Sequence, residues 1–184
     1  GLEKELSQLF NLESNIDTVL AVSMYKLNQF MDAERSSIFL FDPKKEQLTS
    51  FSSLDLAKQE IRMSKSSGVA GWVFEQRMPA IVNDAYNDSR FYREVDNMTG
   101  FRTRNLVCTP LVDDKGCCFG TIQSINKNSG DFTTDDLELL DLTARLVVVA
   151  ISNSRRYDEI LTTNMARKNL IIKIVDNIGN LPEK

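Results

Sequence analysis

Residues 104–126 read RNLVCTPLVDDKGCCFGTIQSIN, and this stretch decides the fold. RNLVCTPLVD and GCCFGTIQSIN are two β-rich runs, and DDKG between them is a turn signal. Pro110 sits inside the first run, where it marks an edge or a bulge, because proline cannot donate to a ladder. Adjacent Cys117 and Cys118 point to opposite faces of a strand, and the bland reading of both is as small hydrophobes.

Upstream lie four more short runs of the same kind: SSIFLFD (36–42), LTSFSS (48–53), EIRMS (60–64) and PAIVND (79–84). The first two are separated by the polar turn PKKEQ and read as a hairpin. SSGVAGWVFEQRM (66–78) carries a glycine on each side of Val69–Ala70 and then a short helical pattern. Helices flank this strand region. Leu2, Leu6, Leu9 and Phe10 form one helical stripe. Ile16, Val19, Leu20, Met24, Leu27 and Met31 form a second, capped by Ser14 or Asn15 and ending near Asp32. From Thr133 to Asn180 there is no proline, and acids crowd the first turn, which suits a helix N-terminus. Leu137, Leu140, Ala144, Val147, Val148 and Ile151 make one apolar face. Tyr157, Ile160, Ile171, Ile174 and Ile178 continue near heptad positions, interrupted by Asn164 and Arg167, as in a signalling coiled coil. Helices, six strands, then a long helix predict an α+β fold: a six-stranded antiparallel sheet with helices 15–32 and 134–156 on one face. The expected division is a linker helix over 1–14, a domain over 15–156 and a signalling helix over 157–184.

Composition narrows the function. The chain has 184 residues, is 42% apolar and carries a net charge of −4. That is one ordinary globular core with no broad basic surface for nucleic acid. No apolar run reaches the roughly 18 residues of a membrane span, and GLEKELSQLF lacks a signal-peptide core, so a cytoplasmic protein is expected. The three cysteines show no metal spacing, and histidine is absent. Without histidine there is no Ser–His–Asp or Cys–His nucleophile and no imidazole metal ligand, so a non-enzyme is the expectation. Asp113/Asp114 fall in a tight turn and Asp135/Asp136 in a helix's first turn; both pairs have routine structural uses, and no metal or other cofactor is expected.

Two segments remain as candidates for binding. Neither GxxxxGK[ST] nor GxGxxG is present, but SSGVAGW lets the N–H groups of Val69 and Ala70 approach a ligand, or merely turns a strand into a helix. DSRFYREVDNMTGFRTRN (88–105) follows neither the helical nor the strand period and is too aromatic for disorder. It is either a lid offering polar groups to a ligand or a plug for the sheet.

The span from Ile61 to Leu140 resembles a GAF domain, through GVAGWV, NDAYNDSRFYREVDNMTGFRTRNLVCTPL and Asn126–Lys127 followed by FTTDD. The likeness extends over roughly 15–160 and is greatest to the subgroup in cyclic-nucleotide phosphodiesterases and certain bacterial adenylyl cyclases. It implies a GAF/PAS-like sheet with a regulatory, non-catalytic role in a larger signalling protein. The NKFDE signature of the family is matched by Asn126, Lys127, Phe132 and Asp136, with Leu137 in place of the final glutamate. The resemblance implies that Lys127 and Asp136 form a structural salt bridge. It also implies a cyclic nucleotide, cAMP or cGMP, between sheet and lid. Ser37 would face the base, Phe51 would stack beside it, and Val69 and Ala70 would meet the phosphate. Tyr92, Asp96, Thr99 and Thr103 would come from the lid, where Arg102 and Arg104 act as braces. Ser52 stands where some cyclic-GMP binders carry aspartate, and Gln123 where some relatives carry an acid. That departure leans the reading towards cAMP, although glutamine can read either purine. A covalent bilin or a histidine-ligated haem is discounted for want of histidine. Two alternatives stand beside this: a GAF domain with another ligand or none, serving as a dimerisation and signalling spacer, and a cysteine-dependent methionine sulfoxide reductase. A homodimer through the terminal helices is expected in the first two cases.

Overall fold

A computed structural model describes residues 16–52 and 61–179. The proposed helix over 2–12 lies outside these residues. The elements run α1 (Ile16–Met31), β1 (Ala33–Asp42), β2 (Gln47–Ser52), β3 (Arg62–Ser64), α2 (Gly68–Gln76), β4 (Ala80–Val82), α3 (Arg93–Thr99), β5 (Leu106–Val112), β6 (Cys118–Lys127) and α4 (Thr134–Gly179). The six strands form one antiparallel sheet in the order β3-β2-β1-β6-β5-β4. β1 and β6 therefore sit at the centre, paired from Ala33↔Lys127 to Leu40↔Gly120.

Pro110 is accommodated in two ways. β4 pairs only with Leu106, Val107 and Cys108, so it ends before Pro110 needs a donor on that side. On the β6 side the register slips between Leu111 and Val112. Gly120 lies where β6 crosses β1: a Cβ there would stand 1.8 Å from the Phe39 carbonyl oxygen.

Strand alternation sends side chains to two faces. On one face Ile38, Val107, Leu111 and Ile122 are buried, together with Leu20, Met24, Leu27 and Met31 of α1 and Leu140, Ala144 and Val147 of α4. Polar groups on this face are paired: Ser36 and Ser124 hydroxyls meet at 2.7 Å, and Thr109 on β5 donates to Asp141 on α4. On the opposite face Phe39, Leu48, Leu106, Cys108 and Ile125 pack with Val69, Ala70 and Val73 of α2. The expected one-sided placement of the two long helices is what the sheet carries. The short α2 and α3 cover the other side, and there the cavity lies.

Close contacts divide the chain into two units, Gly1–Val149 and Ala150–Lys184, although α4 is continuous across the division. Among the described residues no helix is long and apolar enough to cross a membrane.

Candidate functional site

Arg35, Ser37, Gln123 and Ile125 share one sheet face, since Arg35 pairs with Ile125 and Ser37 with Gln123 across the central strands. Above them lies a half-open cavity of about 70 Å³, bounded by α2 and by the segment that leads into and out of α3. Eight of the ten residues expected to meet a ligand line it: Ser37, Val69, Ala70, Tyr92, Asp96, Thr99, Thr103 and Gln123. The remaining two, Phe51 and Ser52, pair through their backbones with Ile38 and Ser37. Their side chains lie outside the described residues.

α2 begins at the cavity. Ser67 provides no side-chain cap, and the first turn closes with Gly71 N–H on the Ser67 carbonyl at 3.0 Å. The amides of Gly68, Val69 and Ala70 precede that bond, and helix geometry leaves them without carbonyl partners in their own helix. Such a terminus favours negative charge. Gly68 has φ +70°, which favours glycine, and Tyr92 packs against its open side.

The lid is held by its own network. Asp96 is buried, and its carboxylate accepts from Thr103 N–H at 2.6 Å, Thr103 Oγ1 at 2.8 Å and Tyr86 OH at 3.0 Å. In this closed form Asp96 and Thr103 are thus turned on each other, and Thr99 donates to the Val95 carbonyl at 2.8 Å. Tyr92 donates its hydroxyl to Glu94. The guanidinium groups of Arg102 and Arg93 lie over the Tyr86 ring, at 4.6 and 5.1 Å from its centre. Its phenol is pushed above the usual range, by desolvation first and then by the bond to Asp96. Arg90 lies 4.6 Å over Trp72 and grips Asp88 through two nitrogens at 2.9 and 2.6 Å. That grip is the main reason the Asp88 carboxyl lies below the ordinary carboxylate range. The arginines therefore brace the lid.

The Asn126–Lys127 motif anchors the far end. Asn126 sits at φ +57°, and its side chain accepts from Arg104 N–H at 2.7 Å while donating to the Arg102 carbonyl at 2.8 Å and Glu34 at 3.0 Å. Lys127 Nζ meets both Asp136 oxygens and faces the buried Phe132 ring. Asp136 also accepts from Thr133 N–H at 2.8 Å, while Thr133 Oγ1 caps Asp136 N–H at 3.3 Å, so one carboxylate serves both the ion pair and the helix start. Burial raises the Asp136 carboxyl, but the hydrogen bonds from Lys127 and Thr133 and the Lys127 charge outweigh it and hold the group below its ordinary range.

Several supporting residues gave no sequence signal. Asn83 brackets Phe132, accepting from its N–H at 2.9 Å and donating to its carbonyl at 3.1 Å. Asn105 does the same between Lys127 N–H and the Gly130 carbonyl. Tyr86 and Arg35 were also passed over, because the partners that give them meaning are distant in sequence. Cys108 is fully buried and desolvation pushes its thiol up to about 12, so it offers no thiolate for sulfoxide chemistry. Among the described residues no acidic or cysteine cluster is arranged to hold a metal.

An antiparallel sheet with a lidded cavity on one face and long helices on the other defines a sensory-domain fold. The family model for the GAF domain matches residues 15–151, and the chain belongs to that family. It is 31% identical over 158 residues to the dual 3',5'-cyclic-AMP and -GMP phosphodiesterase 11A of Takifugu rubripes, covering 77% of this chain and 18% of that protein. It is 31% identical over 180 residues to the dual 3',5'-cyclic-AMP and -GMP phosphodiesterase 11 of Drosophila melanogaster, covering 85% of this chain and 12% of the relative. The chain thus spans less than a fifth of these curated relatives. Among solved structures, the GAF domain of a phosphoenolpyruvate-protein phosphotransferase from Coxiella burnetii superimposes with a TM-score of 0.73 at 17% identity, over 86% of this chain and 95% of that one. That likeness speaks for the fold alone.

Proposed function

We propose that residues 15–156 form a regulatory domain that binds a cyclic nucleotide, cAMP or cGMP, under the 88–105 lid. Residues 157–184 would act as a signalling helix, 1–14 as a linker, and the domain would pair with a second copy through its terminal helices in a cytoplasmic signalling protein. The observation that carries this reading is the convergence of the α2 N-terminus at Gly68, Val69 and Ala70, the polar floor of Ser37 and Gln123, and the lid hydroxyls on one cavity. The likeness to phosphodiesterases named for cyclic-AMP and -GMP supports this reading. The cavity of about 70 Å³ is smaller than the roughly 300 Å³ at which small-molecule sites begin, so entry requires the lid to move. Ordering of a segment around a ligand is a recognised switch. Calorimetric titration of the chain with each nucleotide tests it: saturable heat with one-site stoichiometry is expected. No heat and no thermal shift at millimolar concentration of either would refute it.

The small cavity and the self-satisfied Asp96 also favour a second reading, a spacer that binds nothing there. It predicts an unchanged melting temperature with both nucleotides.

A further inference from the structure

We infer that Arg35 is the residue through which the site reads its ligand: its edge meets a hydrogen-bond acceptor on the purine base, while its face holds the lid. This rests on the cyclic-nucleotide reading above. Arg35 lines the cavity, on the same β1 face as Ser37 two residues on. Its guanidinium lies 4.6 Å from the centre of the Phe101 ring, and Phe101 belongs to the lid and lines the same cavity. The Nε–H is buried and has no hydrogen-bond partner among the described residues. A buried donor without an acceptor is costly and uncommon in folded proteins. Here it belongs to a guanidinium, whose donors form a rigid planar fork.

The carboxylates around Arg35 do not relieve this donor. Asp96, also in the lining, is engaged by Thr103 and Tyr86. Glu34 next to it bonds to Arg104 and Asn126. The acceptor missing among the described residues is therefore one that a ligand brings. With the phosphate drawn to the α2 amides, the base is the part left for the sheet floor, where Arg35, Ser37 and Gln123 lie together. Purine edges present ring-nitrogen acceptors in both adenine and guanine. Once the acceptor fixes the fork, the guanidinium plane is fixed too, and Phe101 gains a defined surface on which to settle. Ligand edge and lid ring thus share one side chain.

The test is titration of the full chain and its Arg35→Lys and Arg35→Met variants with cAMP and cGMP. Adenosine and guanosine serve as phosphate-free competitors. The expected result is that both variants lose at least tenfold in affinity for whichever nucleotide the parent binds, with unliganded melting temperatures within a few degrees of it. Lysine fails to rescue because it keeps the charge and loses the planar Nε–H. The matching nucleoside competes in the parent and not in the variants. Retained affinity in Arg35→Lys would overturn the inference, as would nucleoside competition that survives in Arg35→Met. If the parent binds neither nucleotide, the cyclic-nucleotide reading falls first, and the purine acceptor with it.

Discussion

Consider replacing Lys127 with methionine, which keeps the stem and removes the ammonium. The Lys127 and Asp136 side chains are 17% and 13% exposed, so the pair is mostly but not fully buried. Breaking a fully buried pair costs about 3–5 kcal/mol, and exposed pairs contribute about 0–1 kcal/mol. In Lys127→Met the remaining carboxylate keeps the Thr133 N–H and hydroxyl as donors, which softens the loss. The expected cost is therefore about 2 kcal/mol, between those limits. For a domain of this size that lowers the melting temperature by about 4–8 °C. Asp136→Ala is expected to cost more, since it strands the ammonium above Phe132 and also removes the carboxylate that accepts from Thr133 N–H and hydroxyl at the α4 start, a further ~1 kcal/mol. The double variant is less than additive, because each single variant already removes the pair. Calorimetric melting and urea titration measure all three. Lys127 does not line the cavity, so on the proposed reading nucleotide affinity per folded molecule is expected to be unchanged. A melting temperature within 1 °C of the parent in Lys127→Met, or strict additivity, would refute the argument.

Other consequences are as direct. Gly120→Ala forces a Cβ to 1.8 Å from the Phe39 carbonyl and is expected to destabilise by on the order of 4 kcal/mol, read from urea unfolding. Tyr86→Phe removes one of three donors to Asp96; amide exchange across 93–103 is expected to quicken while global melting falls by only about 1 kcal/mol equivalent. Unchanged protection at Thr103 would count against the latch. Asp88 and Asp136 are held below their unfolded values, so each adds stability above the unfolded pKa, near 4, that is lost as pH falls through the folded value. Urea stability should therefore drop from pH 7 to pH 3, and the drop should be shallower in Lys127→Met, where the main hydrogen bonds and charge lowering Asp136 are gone.

Much of the fold was legible because local signals agreed. The short apolar run at 36–42, the β-rich run at 116–126, the DDKG turn, and the proline-free run after Thr133 all point one way. Pro110 announced the β5 irregularity but not that β4 stops short of it. The candidate site was legible as a set of residues, through family likeness, more than as a geometry. Asp96 and Thr103 were read as facing a ligand, whereas the closed lid pairs them with each other. That pairing spans seven residues and a helix end, beyond the reach of any periodicity. Arg35 sat unnoticed in a strand, because an orphan donor exists only once the surrounding side chains are in place.

The tightness of the cavity has a consequence for time as well as affinity. On the cyclic-nucleotide reading, a cavity of about 70 Å³ admits its ligand only when the lid moves, and the observed association rate would level off at the rate of that motion instead of rising with concentration. The same gate governs escape. Three donors on Asp96 and two arginines on Tyr86 would then act as a clock, making the domain hold its signal after the free nucleotide has been cleared.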